Sequence, residues 1–157
     1  MSERLSLREK ISGPNAVPIE KLVARGAQAA ERAQHHFDDF LKLRVGDLEK
    51  LQPKLAQDCE AEAWCNFFTI VRDIRGSSAL AGKMGINQFC ISLETLLQER
   101  DPADPRMPSA IATHIGALHI ATQGKAGDEL SQTLLAEQLS LAVNALPVMK
   151  RHVRAAL

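Results

Sequence analysis

An all-helical fold follows from three features of the 157-residue chain. Apolar residues recur at three- and four-residue spacing through successive segments, and no segment alternates with the period of a strand. Alanine and leucine carry most of the apolar content, while aromatics make up only 4%, with no tyrosine and one tryptophan. That composition suits close helix packing better than a β-sandwich. Proline and glycine punctuate the helical segments at 13–14, 82–85, 102–108 and 124–127. At 45% hydrophobic residues, the chain can bury a core of its own.

The elements follow in order. Residues 1–17, with Gly13, Pro14 and Asn15, read as a flexible arm ending in a turn. Residues 18–157 read as one helical bundle domain. From Pro18, a favourable first-turn residue, a single apolar stripe runs through Ile19, Leu22, Val23, Ala27, Ala30, Ala33, Phe37, Phe40, Leu41, Leu48, Leu51 and Leu55. It predicts one long helix, weakened at Gly26 and Gly46 and stopping near Pro53. A second helix is expected over 61–81, with Phe67, Ile70, Val71, Ile74, Ser78 and Ala81 inward. Gly82 and Gly85 bracket a turn. A third helix over 86–100 points Ile86, Phe89, Cys90, Leu93, Leu96 and Leu97 inward. Residues 101–108 (DPADPRMP) read as a loop. A fourth helix over 109–123 carries Ile111, Ile115 and Leu118 on its inner face. A fifth, over 128–148, starts at the N-cap Asp128, and Pro147 kinks or ends it; Leu130, Leu134, Leu135, Leu139, Val143 and Leu146 are expected inward.

Charge and cysteine usage narrow the function. Lys+Arg and Asp+Glu both number 19, so the chain has no net field to hold nucleic acid or an anionic membrane. No run approaches transmembrane length, and the first residues lack the apolar core of a signal peptide. Cys59, Cys65 and Cys90 have no CxxC or Cys/His ligand spacing, which predicts reduced thiols in a soluble cytoplasmic protein, with no metal and no cofactor. His35 and His36 are adjacent on the first helix and point about 100° apart, so they do not share a site. His114 and His119 fall on the fourth helix and His152 in the tail. A histidine on a bundle helix is more often a surface or hydrogen-bonded core residue than a nucleophile. His35 and Asp39 have metal-ligand spacing but are too few for a specific site. Nothing here predicts an enzyme.

The stretch 71–82, VRDIRGSSALAG, stands apart. A mid-helix glycine costs about 1 kcal/mol relative to alanine and usually has a packing or contact reason. With Ile74 inward, Phe68, Arg72, Arg75, Gly76, Ala79 and Lys83 fall on the outward face. An aromatic, cations and small residues together suit docking against an acidic pocket. A solvated basic face with an incidental glycine is the plain alternative.

This order of motifs resembles the histidine phosphotransfer (HPt) domains. These carry His-x-x-Lys-Gly-Ser-Ser on a helix, then a glycine turn, then a helix with Cys-x-x-Leu-Glu. Here the residues are Arg72-Asp73-Ile74-Arg75-Gly76-Ser77-Ser78, Gly82, and Cys90-Ile91-Ser92-Leu93-Glu94. With THIGAL at 113–118, the wording looks most like an HPt-like group of alphaproteobacteria. The match covers about 67–97. The resemblance implies an antiparallel four-helix bundle of HPt type, with a long N-terminal helix and short connections. It places Arg72 at the phospho-accepting position. A guanidinium stays protonated and has no free lone pair to act as nucleophile. Arg75 stands where the family's lysine neutralises the phosphoryl group, and Gly76 admits a receiver's active-site loop.

The expectation is therefore a signalling protein of a two-component phosphorelay that docks a response-regulator receiver domain or a histidine kinase without carrying phosphate. Two alternatives stay open. One is an active phosphocarrier using a displaced histidine. The other is a helical adaptor or homodimer whose long first helix supplies the interface.

Overall fold

The computed structural model describes residues 17–57 and 61–149. Among them are five helices: α1 (Ile19–Gln57), α2 (Ala61–Leu80), α3 (Met84–Glu99), α4 (Met107–Thr122) and α5 (Glu129–Asn144). The β structure among the described residues is one isolated antiparallel bridge, Arg100 with Val148. The all-α class stands. The arm expected at 1–17 lies outside the described residues except for Val17, as do Cys59 and His152. No helix among the described residues is long and apolar enough to cross a membrane.

By its contacts the chain divides into two units, Met1–His36 and Phe37–Leu157. Among the described residues of the first unit no side chain is buried; Ile19 and Val23 are each 67% exposed. The second unit holds the core. From α1 it takes Leu41, Val45, Leu48 and Leu55, at the three-, four- and seven-residue steps that align on one helix face. Each such side chain contributes roughly 1.5–3 kcal/mol by leaving water. From α2 come Phe67, Ile70, Val71 and Ile74, and from α3 Ile86, Phe89, Cys90, Leu93 and Leu96.

Helix α3 is the hub, packing against α2, α4 and α5. Paired residues give the directions. Arg44 meets Asp73 and Lys83 meets Asp38, so α1 and α2 are antiparallel. Short connections make α2–α3, α3–α4 and α4–α5 antiparallel in turn. Gly85 touches Glu129 near one end and Arg100 touches Asn144 near the other, so α3 and α5 run parallel.

Several boundaries and faces differ from expectation. Helix α3 starts at Met84, so Gly85 lies within its first turn rather than closing the turn before it. Helix α1 continues past Pro53 to Gln57. The proline forfeits one backbone hydrogen bond, but the extra turn places Leu55 in the core. Pro108 lies in the first turn of α4, where its missing N–H has no helical partner to lose, rather than in the preceding loop. Helix α5 ends at Asn144, short of 148. Its inner face is also reassigned. Ala136, Leu139 and Val143 are buried, with Leu146 just beyond the helix. Leu130, Leu134 and Leu135 are exposed at 67%, 54% and 41%, so Leu135 is not in the shared core. Leu97 is only partly buried against that core. The cause on α5 is its two-sided apolar pattern, in which periodicity favours neither face. The choice is made at Gly85, where a Cβ would fall 2.5 Å from Cβ of Gln132. That close approach turns the Gln132–Ala136–Leu139–Val143 side toward α3.

Candidate functional site on the second helix

Arg72 is exposed in the middle of α2, and its guanidinium lies over the Phe68 ring, 6.0 Å from the centroid. The i,i+4 step that brings the two together also keeps Phe68 half-buried beneath the cation. Arg72 has no ion-pair partner among the described residues, so its donors stay available. Gly76, one turn on, is exposed, and a Cβ there would meet nothing within 4 Å. Packing among the described residues therefore does not require a glycine at this point in the helix. Ala79, another turn along, is exposed as well.

Two cations expected on this face are committed elsewhere. Arg75 Nη1 donates to Glu94 Oε2 at 2.6 Å, with the arginine side chain 46% exposed and the carboxylate only 12%. The reason is helical phase: residue 75 lies about 100° from Ile74, on the flank toward α3, within reach of a long side chain. The Lys83 ammonium pairs with Asp38 of α1. Of the three cations, only Arg72 is left for a ligand.

Arg75 is held at its other end too. Its carbonyl accepts from Ser78 Oγ at 2.9 Å and from Asn87 Nδ2 at 3.1 Å. Asn87 and Glu94 are seven residues apart, hence on one side of α3, and they grip Arg75 from both ends. Glu94 Oε1 is buried without a hydrogen-bond partner, so withdrawing Arg75 would strand a carboxylate in the interior. The grip fixes the phase of α2 and with it the direction of Arg72. Apolar periodicity shows nothing of Asn87; Glu94 is visible only as the last residue of the Cys-x-x-Leu-Glu motif. Cys90, between them on the same helix, is a buried thiol whose pKa is pushed far up, first by burial and then by the Glu94 charge. Cys65 is an exposed free thiol.

The histidines divide by environment. His35 and His36 are exposed on α1. His114 is in the core: Nδ1 lies 2.7 Å from the Ala110 carbonyl and Nε2 2.9 Å from Ser92 Oγ. A carbonyl only accepts, so Nδ1 carries the proton and Nε2 accepts from the serine hydroxyl. Burial lowers the His114 pKa, outweighing the Ala110 hydrogen bond that raises it. Protonation then favours the unfolded chain. The stabilisation from the neutral ring is whole above the unfolded value near pH 6.5 and is lost as pH falls through the depressed folded value. Thermal melts at about pH 7 and about pH 5 should show a larger drop in Tm for the wild type than for His114→Gln, which bonds without titrating; equal drops would refute the assignment. His119 is part-exposed, with Nδ1 2.6 Å from Glu49 Oε1 and Nε2 2.6 Å from Gln123 Nε2. With the amide donating to Nε2, both ring nitrogens are occupied.

Among the described residues no three His, Cys, Asp or Glu side chains cluster as metal ligands. The α2 face can bind an anionic group and admit a close backbone; it carries no histidine, and its exposed thiol, Cys65, lies two turns before Arg72. Set against family models, curated proteins and solved structures, the chain matches none.

Proposed function

We propose that the protein is a non-phosphorylatable docking module of HPt type, binding a receiver domain or a histidine kinase through α2 in a two-component phosphorelay. The observation that carries this reading is the pairing of an unneutralised Arg72 with an open Gly76 one turn away. A helix-interior glycine is unfavourable by about 1 kcal/mol, and no neighbour among the described residues requires one. An approaching partner backbone is a reason for it. Receiver active sites, as the resemblance implies, are built around clustered carboxylates, and a guanidinium is the complementary group. Arg75 has a different part from the one the resemblance implies: tied to Glu94, it orients the face rather than meeting the partner's charge.

The test is capture of receiver and kinase domains by the wild-type chain and by two variants. Arg72→Glu should weaken binding by at least about tenfold, and Gly76→Leu should block close approach. Arg72 is exposed, so Arg72→Glu should move Tm by no more than about 2 °C, while Gly76→Leu should leave Tm unchanged or raise it by about 2–4 °C, since leucine suits a helix better than glycine. A complex indifferent to both substitutions would remove α2 as the docking face. The displaced-histidine alternative is separated by incubation with a labelled phosphodonor. Label on any histidine, and its loss in the matching His→Ala variant, would replace the docking reading with a phosphocarrier.

A further inference from the structure

Helix α5 is apolar on two opposite sides. Ala136, Leu139 and Val143 fill the core side. Leu130, Leu134 and Leu141, at 67%, 54% and 62% exposure, point the other way and fall within about 40° of one another around the axis. A row of large apolar side chains on the side of a helix turned away from its core marks an interaction face. Continuous with this leucine ridge is a groove between α3 and α5, lined by Met84, Ala136 and the ridge residue Leu141 together with five polar side chains, among them Gln88 and Glu137. Leu141 belongs to both, so ridge and groove form one surface.

We infer that this surface is the interface of a homodimer, in which the Leu130–Leu134–Leu141 ridge of each copy seats in the α3–α5 groove of the other about a two-fold axis. Three observations favour a second copy over another partner. First, a two-fold interface needs one surface to carry both a projection and the recess that receives it, and this surface does. Second, the area approaches what a dimer needs. The three ridge leucines with half-exposed Met84 present roughly 400 Å² of apolar surface, most of the apolar share of a homodimer patch of about 800 Å² per partner that is roughly two-thirds apolar. Third, the chain's formal net charge is +0, so two copies meet without long-range repulsion. The interface shares no residue with the α2 face that carries Arg72.

Sedimentation equilibrium of the full chain, over a concentration series reaching about 100 μM, tests the inference. The wild type is expected to reach twice the chain mass of 17.2 kDa. Leu134→Lys with Leu141→Lys should raise the dimer dissociation constant by about 100-fold or more, with unchanged helical circular dichroism, since both side chains already face solvent. Leu130→Lys alone should give a smaller rise in the same direction. Val23→Lys should have no effect. A wild type that stays monomeric throughout overturns the inference, as does a dimer that survives the α5 substitutions or is lost with Val23→Lys. None of these outcomes bears on Arg72, whose partner binding is read separately.

Discussion

Gly85→Val is expected to destabilise the protein by about 3 kcal/mol, near the upper end for overpacking. The first Cβ atom alone would lie 2.5 Å from Gln132 Cβ and 2.6 Å from its Oε1. The oxygen can swing away, but Cβ moves only with the α5 backbone. Valine adds two methyl groups and so forces α3 and α5 apart along the face where Ala136, Leu139 and Val143 meet the hub helix. It also disturbs the 2.6 Å bond from the Gly85 N–H to Glu129 Oε1, which satisfies a donor at the start of α3. For a chain of this length the loss corresponds to roughly 6–12 °C in Tm. The control is Gly85→Ala in a Gln132→Gly background. With the opposing Cβ gone, alanine should be neutral or mildly stabilising, because it suits a helix better than glycine. If Gly85→Val melts with the wild type, close approach does not set the α3–α5 register.

The second large effect is expected at Arg100, 7% exposed just after α3. Its Nη1 donates to the Leu146 carbonyl at 3.2 Å and its Nη2 to Asn144 Oδ1 at 2.8 Å, placing a cation at the C-terminal end of α5. There the helix dipole presents partial negative charge and carbonyls without helical partners. Hydrogen bonds to a charged group contribute about 1.5–3 kcal/mol each, and truncation also opens a cavity. Arg100→Ala should therefore cost about 3–4 kcal/mol by urea unfolding. Arg100→Lys should recover a fraction only, since one ammonium does not span both acceptors with the same fork. A loss below about 1 kcal/mol for alanine would mean that water replaces the guanidinium at little cost.

How far these features are legible in the sequence depends on which force decides them. The inner faces of α2 and α3 are set by burial alone, and there the 3.6-residue period picks out Phe67, Ile74, Phe89 and Leu93 correctly. On α5 the same period fails, because leucines lie on both sides of the helix. The decision rests on the approach of Gly85 to Gln132, two residues on different helices and outside any periodic relation.

The candidate site divides in the same way. Arg72 and Gly76 are where helical phase puts them. Arg75 and Lys83 are not free, because reach and pairing decide the fate of a long cation, and their partners Glu94 and Asp38 come from other helices. Periodicity ranks positions by hydrophobicity, so it also passes over the polar contacts that tie helices together, such as Asn87 to Arg75 and Ser92 to His114. Pro108 shows the converse failure: proline reads as a breaker, yet the first turn of a helix accepts it.

The bridge beside Arg100 has a consequence for how the molecule opens. Asp101 N–H donates to the Pro147 carbonyl at 3.0 Å and Met149 N–H to the Glu99 carbonyl at 2.8 Å, so the chain leaving α5 is pinned to the chain leaving α3. Helices α4 and α5 are thereby tethered to the hub at both ends. Neither can detach without breaking the pin or the turns, which favours concerted opening of α3, α4 and α5. Their slowest amide protons should exchange with deuterium at one shared free energy close to that of global unfolding, while amides at 19–36, where no described side chain is buried, should exchange by shallow local fraying.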